Sequence, residues 1–460
     1  MPPEEFRKIA HEVVDWMADY LAHVERYPVL PRVKPGELVD SLPACGPEHG
    51  EAMSAILEDF RRQIVPAATH WNHPGFMAYF AISASGPGIL GEMLSATLNM
   101  NGMLWKTSPA VVELEQVTLD WLRRWIGLAG PQFGIIFDTA STSSMHAIAA
   151  AREMVAPEVR TGGGGAGLVI YTSEQAHSSI EKGAIAIGIG QKNVRKIPVD
   201  ADYRMRPDLL AAAIEHDRAA GLRPFCVVAT VGTTSTTSID PVESIAPIAE
   251  RHDLWLHVDA AYAGVAAIAP EFQYILKGCD RADSLVVNPH KWLFTPVDLS
   301  VLYTRRPEIL RRAFSLVPEY LRTAEDPRAV NYMDYGVPLG HRFRALKLWF
   351  VLRYYGREGI AQMIRNQIGW AQEFARQVDA DDRFERTAPA PFSTVCFRLK
   401  GTDEENQALL DRVNATGEVF LSHTVLHGGY TLRLAIGNMG TTRAHVQRAW
   451  ELVKANVGCR

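Results

Sequence analysis

Apolar positions first recur at helical spacing. Phe6, Ile9, Ala10, Val13, Met17, Tyr20, Leu21 and Val24 fall three and four residues apart, which predicts an amphipathic helix. Pro28, Pro31, Pro35 and Gly36 end it. A second helix is expected over 52–65, stopped at Pro66. Two helices cannot enclose a core, so their apolar stripes must pack on the rest of the chain or on a second copy of it.

From about residue 86 the period changes. Short apolar runs at 133–137, 168–171, 225–231, 254–258, 284–287 and 300–303 read as buried strands, and helical stretches separate many of them. The stretch 208–220 follows Pro207 and stops at Gly221, the usual asymmetry of helix ends; 241–252 is another helix. Strands alternating with helices predict a mostly parallel sheet covered on both faces. A long helix is expected over 344–378, then strands at 394–399, 419–421 and 431–436, and a last helix over 442–457. The expected division is an N-terminal helical dimerisation segment (1–85), a large α/β domain (86–345) and a small C-terminal α+β domain (346–460).

Composition narrows the class. The 460 residues are 47% hydrophobic and 22% charged, with a formal net charge of −5. This is the balance of an ordinary globular protein, and its slight acidity argues against nucleic acid as a main partner. Cys45, Cys226, Cys279, Cys396 and Cys459 are scattered, with no CxxC pair. A disulfide framework or zinc site is therefore not expected, and a reducing, cytoplasmic setting is. No run approaches the ~20 apolar residues of a membrane span, and the N-terminus lacks the pattern of a signal peptide.

Candidate chemistry gathers at strand ends, where open α/β sheets bind ligands. Val-Asn-Pro-His-Lys-Trp (287–292) puts Lys291 beside His290 and Trp292. Crowded by apolar neighbours, such a lysine has a lowered pKa and serves as an amine nucleophile; taken alone it also reads as a surface lysine. His-Val-Asp-Ala-Ala-Tyr-Ala-Gly (257–264) ends a strand on Asp259. A buried carboxylate there wants a cationic partner, such as a protonated pyridine nitrogen, unless it caps the next helix. Ala260, Ala261 and Gly264 leave room for a flat ring. Asp-Thr-Ala-Ser-Thr-Ser-Ser (138–144) joins a strand to a helix among hydroxyls, which suits a phosphate; an ordinary N-cap would explain one of them. His177, after the strand 168–171, could stack on an aromatic cofactor or be structural. Gly-Thr-Thr-Ser-Thr-Thr (232–237) is equally open.

These motifs together resemble the group II pyridoxal-phosphate (PLP) decarboxylases, and within them the aromatic-L-amino-acid decarboxylases. The likeness runs from the first helix past Arg433 and is carried most specifically by His-Val-Asp-Ala-Ala-Tyr-Ala-Gly and Asn-Pro-His-Lys-Trp. It implies the aspartate aminotransferase-like fold type I, a homodimer with its active site at the interface, and pyridoxal 5'-phosphate as cofactor. Lys291 would carry the cofactor, Asp259 would pair with its ring nitrogen, and Ala261 and His177 would cover its two faces. Ala140, Ser141 and Asn288 would hold the phosphate, with Thr234 and His290 lining the pocket. Val-Pro-Glu-Tyr-Leu (317–321) matches the family's loop motif, making Tyr320 the proton donor of a lid over about 316–335. Related aldehyde synthases carry Phe there, so Tyr320 implies simple decarboxylation.

The family's substrate pocket maps onto Trp71, Tyr79 and Phe80, which equally suit a core. Ile82 replaces the Ser or Thr common in catechol-handling relatives. Asn101 and Met103 stand where larger apolar residues are usual across the dimer interface, and Gly340 matches the small residue that plant relatives use with indoles. The substrate expectation therefore tilts to tryptophan or phenylalanine over dopa, with an aldehyde synthase or a non-aromatic substrate as the alternative. Gly162–Gly167 precedes its strand and so is no dinucleotide fingerprint. His70 and His73 sit at a turn without carboxylates or cysteines nearby, so no metal is expected.

Overall fold

β-Branched and aliphatic runs become strands here because both of their faces find a core. In the strand Arg223–Thr230, Val227 and Ala229 enter one hydrophobic core while Cys226 and Val228 enter another, the alternation that a two-sided sheet requires. The structure is a computed structural model that describes residues 1–130, 132–316 and 329–458. Its strands are β1 (Phe76–Met77), β2 (Phe133–Phe137), β3 (Leu168–Ser173), β4 (Val194–Ile197), β5 (Arg223–Thr230), β6 (Trp255–Asp259), β7 (Ser284–Val287), β8 (Ser300–Thr304), β9 (Phe384–Arg386), β10 (Thr394–Leu399), β11 (Phe420–Leu426) and β12 (Gly429–Ala435).

Seven of them form one sheet in the order β2-β8-β7-β6-β5-β3-β4. All pairs from β7 to β4 are parallel, and β8 runs antiparallel to both of its neighbours. The mostly parallel, helix-covered sheet is thus the one the sequence predicts. The helix Ala140–Val155 packs on one face, and the helical stretch Arg344–Asp379 contributes Ala345, Leu348 and Leu352 to the core of the other. That stretch is two helices and not one: Gly356 breaks it with φ 63° and ψ 170°. The apolar periodicity runs straight through the break, so only the glycine itself signals it.

The second sheet has the order β1-β11-β12-β10-β9. Its core joins Phe397, Leu432 and Leu434 to Phe374 and Trp450 of the covering helices. β1, only two residues long, is contributed by the N-terminal region and pairs in parallel with β11, Phe76 against Phe420. Gly75 makes this possible, since a Cβ there would lie 2.1 Å from the Glu418 carbonyl oxygen. The expected second helix is a broken one, Met53–Asp59 followed by a π-turn at Phe60–Ile64. The first, Pro3–Ala22, buries none of its residues within this chain. Among the described residues no helix is long and apolar enough to cross a membrane.

Candidate active site

β6 and β7 end side by side, and the short helix Pro289–Trp292 that follows β7 brings Lys291 back over them. Trp292 anchors this turn: fully buried, it donates from Nε1 to Gln367 and stacks on Tyr262 at 4.8 Å. Tyr262 stacks in turn on Phe80 at 3.7 Å. The Lys291 ammonium lies 5.3 Å from the Phe80 centroid, and the Arg433 guanidinium 4.6 Å. Burial pushes the Lys291 pKa down; the nearby Asp259 carboxylate partly restores it, and Arg433 lowers it further. This favours the neutral amine, the form that attacks a carbonyl carbon.

Asp259 ends β6, buried, and its Oδ1 accepts the Ala261 N–H at 3.1 Å. The carboxylate does not cap the next helix, Ala263–Ile268, whose N-cap is Tyr262; it closes a local turn and keeps a second oxygen for another partner. Ala261 in turn accepts the Asn288 N–H through its carbonyl at 3.0 Å, locking the exits of β6 and β7 together.

His177 is the N-cap of the helix Ser178–Ala186. Its Nδ1 accepts the Ser179 N–H at 3.1 Å, so the proton of the neutral ring sits on Nε2. Burial lowers its pKa, Lys291 lowers it further, and Asp259 opposes them. Thr234 and Ser235 come from the hydroxyl-rich turn after β5. Most of that turn's hydroxyls serve the turn: Thr233 meets Thr236 at 3.0 Å, and Thr236 meets Ser238 at 2.8 Å. Thr234 is left facing outward.

At the end of β2, Thr139 caps the helix Ala140–Val155, leaving the first-turn N–H groups of Ala140 and Ser141 open to an anion. Nearby, His290 Nδ1 accepts the Leu299 N–H at 2.9 Å. Burial lowers the His290 pKa to about 4, so the neutral ring carries its proton on Nε2. Asn288 Nδ2 lies 3.3 Å from that Nε2, and its Oδ1 is buried without a partner. Turning the amide over would pair its oxygen with the Nε2 proton and free the NH2 group as a donor. A buried, incompletely paired amide near a helix N-terminus can serve a phosphate oxygen, and small Ala261 leaves a flat ring room. These residues fit a PLP-sized group.

A cleft of about 300 Å³ opens beside Lys291. Trp71, Tyr79, Phe80 and Ile82 line it together with His177, Thr234 and Arg433. Tyr79 adopts φ 51°, a costly backbone for an aromatic residue. Two bonds hold it: its N–H donates to Ser422 Oγ at 3.3 Å, and its carbonyl accepts from Arg433 Nη1. Arg433 also donates from Nε to the Ser235 carbonyl at 3.0 Å, while its buried Nη2 has no partner. Arg433 was no sequence candidate. Its signal was the alternation of β12, where Leu432 and Leu434 face the core and the arginine between them must face the other way.

Asn101, Met103 and Gly340 do not line this cleft. They form a separate cluster in which Asn101 Oδ1 accepts the N–H groups of His341 at 2.9 Å and Met103 at 3.2 Å. A Cβ at Gly340 would lie 3.8 Å from the same amide. His341 Nε2 bonds to the buried Glu115 at 2.7 Å, and Glu115 accepts the Ile136 N–H at 2.8 Å. Tyr320 and most of the expected lid lie outside the described residues. Among the described residues no three His, Cys, Asp or Glu side chains are grouped to hold a metal ion.

The profile of the pyridoxal-dependent decarboxylase conserved domain matches residues 35–400. Tyrosine decarboxylase 2 of Narcissus pseudonarcissus is 41% identical, over 98% of this chain and 94% of its own. Phenylacetaldehyde synthase of Arabidopsis thaliana is also 41% identical, over 99% and 96%. The crystal structure of Oryza sativa TDC with PLP and tryptamine superposes with a TM-score of 0.96 at 37% identity, covering 99% of this chain and 98% of that one.

Proposed function

The chain belongs to the pyridoxal-dependent decarboxylase family and is a PLP-dependent carboxy-lyase of α/β fold type I; from that premise we propose that it decarboxylates an aromatic L-amino acid to the arylalkylamine. The observation that carries this is the cleft beside Lys291, walled by Trp71, Tyr79 and Phe80 and carrying one unpaired Arg433 donor.

Lys291 would hold the cofactor through its ε-amine, with Asp259 against the ring nitrogen, His177 and Ala261 on the two ring faces, Ala140, Ser141 and Asn288 on the phosphate, and Thr234 and His290 beside them. PLP, when bound, supplies the electron sink that accepts the electron pair of the Cα–carboxylate bond as CO2 leaves. The protein's part is to aim that bond and to exclude water. Trp71 and Tyr79 would receive the aromatic side chain, and the free Nη2 of Arg433 would orient the substrate's carboxylate. Asp259, buried at the end of β6, would favour a positive charge on the ring nitrogen. Tyr320 would return a proton to Cα. Ile82 gives the wall no hydroxyl for a catechol, which supports phenylalanine or tryptophan over dopa.

A homodimer is part of the same reading. The first helix leaves Phe6 and Val14 exposed, and the helix Gly86–Leu98 exposes Leu90, Met93, Leu94 and Leu98 along one side. A second copy would cover these faces and could bring Asn101, Met103 and Gly340 to its partner's cleft.

The test is an end-point assay of PLP-loaded protein with Trp, Phe, Tyr, dopa, His and Glu supplied separately, reading CO2, amine, ammonia and peroxide together. CO2 with equal amine from Trp or Phe is expected. Aldehyde with ammonia and peroxide would make the chain an aldehyde synthase, and turnover of His or Glu alone would overturn the aromatic assignment.

A further inference from the structure

The histidine two residues before Asp259 has no part in the chemistry above. Trp255, His257 and Asp259 share one face of β6, since side chains alternate along a strand, and all three are buried. Trp255 Nε1 donates to Ser284 Oγ at 2.8 Å, and Ser284 stands directly opposite His257 on β7. His257 Nδ1 lies 2.8 Å from the same hydroxyl, and its Nε2 lies 3.1 Å from Ser144 Oγ. A serine oxygen has two acceptor sites and one proton, so the ring bridges Ser284 and Ser144 in either tautomer. Burial keeps the ring neutral, lowering its pKa to about 4, so the bridge is uncharged at neutral pH. Ser143, the neighbour of Ser144, meets Ser300 on β8 at 2.8 Å. Two side-chain bonds therefore tie the helix Ala140–Val155 to β6 and β8, just behind its open first turn.

We propose that His257 and Ser144 form a positioning latch that sets the N-terminus of the helix Ala140–Val155 at a fixed distance from Asp259, so that one polar chain spaces the phosphate end of the cofactor site from the ring-nitrogen end. Neither residue lines the cleft; both act through the elements they join. The inference rests on the reading of Ala140, Ser141 and Asn288 as phosphate ligands. It goes beyond that reading in making cofactor affinity depend on a histidine–serine bond two residues upstream of Asp259.

The test is titration of the apoenzyme with PLP, followed by tryptophan fluorescence and by the phosphorus resonance of the bound cofactor. Ser144→Ala is expected to weaken PLP binding roughly tenfold, about the worth of one buried hydrogen bond, and to shift the phosphorus resonance. His257→Phe, which keeps ring volume but also loses the Ser284 bond, should weaken it at least as much, and the double variant no more than His257→Phe alone, because the bond to Ser144 is then already gone. Should His257→Phe fail to fold, Ser144→Ala carries the test by itself. Asn288→Ala separates the two layers of argument. If it weakens PLP binding while a folded Ser144→Ala protein binds like the parent, the latch is wrong and the phosphate reading stands. If neither change affects PLP binding, the phosphate reading falls and the latch with it.

Discussion

Two polar clusters in this chain look alike in sequence and differ in one respect. Around Lys291, buried groups are left with bonding capacity: Arg433 Nη2, one end of the Asn288 amide and Thr230 Oγ1 lack partners. Around Asn101 most of the capacity is spent, with the Tyr332 hydroxyl beside His341 left over. The Asn101 amide oxygen takes two backbone N–H groups, and Glu115 joins His341 to the β2 backbone. Leaving a buried polar atom unpaired costs about 1–3 kcal/mol, so a chain retains such atoms where something else completes them. The first cluster has bonding capacity left for a ligand, while the second holds two stretches of chain together.

Each of the following changes bears on that contrast, the largest effect first. Lys291→Ala should lower kcat/KM at least ~1,000-fold and abolish the visible absorbance of bound PLP; a coloured, active variant would remove the cleft from the chemistry. Glu115→Ala should behave in the opposite way. It strands the Ile136 N–H and His341, costing ~3–5 kcal/mol in chemical denaturation, while the folded protein keeps kcat/KM within about tenfold. Arg433→Met should lower kcat/KM ~100-fold, as loss of a charge-assisted bond to substrate does, and retained activity would mean that its free donor is idle. Ile82→Thr should raise the preference for dopa over phenylalanine by ~10-fold, measured as a ratio of kcat/KM values.

Much of the fold was legible because its strands are continuous apolar runs with two buried faces. β4 was missed for the converse reason: Val194-Arg195-Lys196-Ile197 lies at the sheet edge with two charged residues in four. β1 is too short to have any period. Lys291, Asp259 and His177 were legible through their motifs, each at a strand end followed by a turn. The motifs could not tell apart hydroxyls of different use, since Ser141 and Ser144 stand in one run and only the latter bonds back to the sheet. Arg433 needed the face of a strand, and Asn101 needed the partners of its amide, neither of which is written in local sequence.

The pairing of β1 with β11 has a consequence for biosynthesis. All strands of the seven-stranded sheet, with Lys291 and Asp259 at their ends, lie between residues 133 and 304. The aromatic wall at 71–82 is held to β11 and to Arg433. On the ribosome the proposed cofactor half of the site therefore has its strands in hand well before residue 433 emerges, whereas the proposed substrate half, although synthesised first, waits for the last part of the chain. A truncated product ending before β11 would leave Trp71 and Tyr79 without the strand that organises them, and would present this aromatic surface to chaperones or to other unfinished chains.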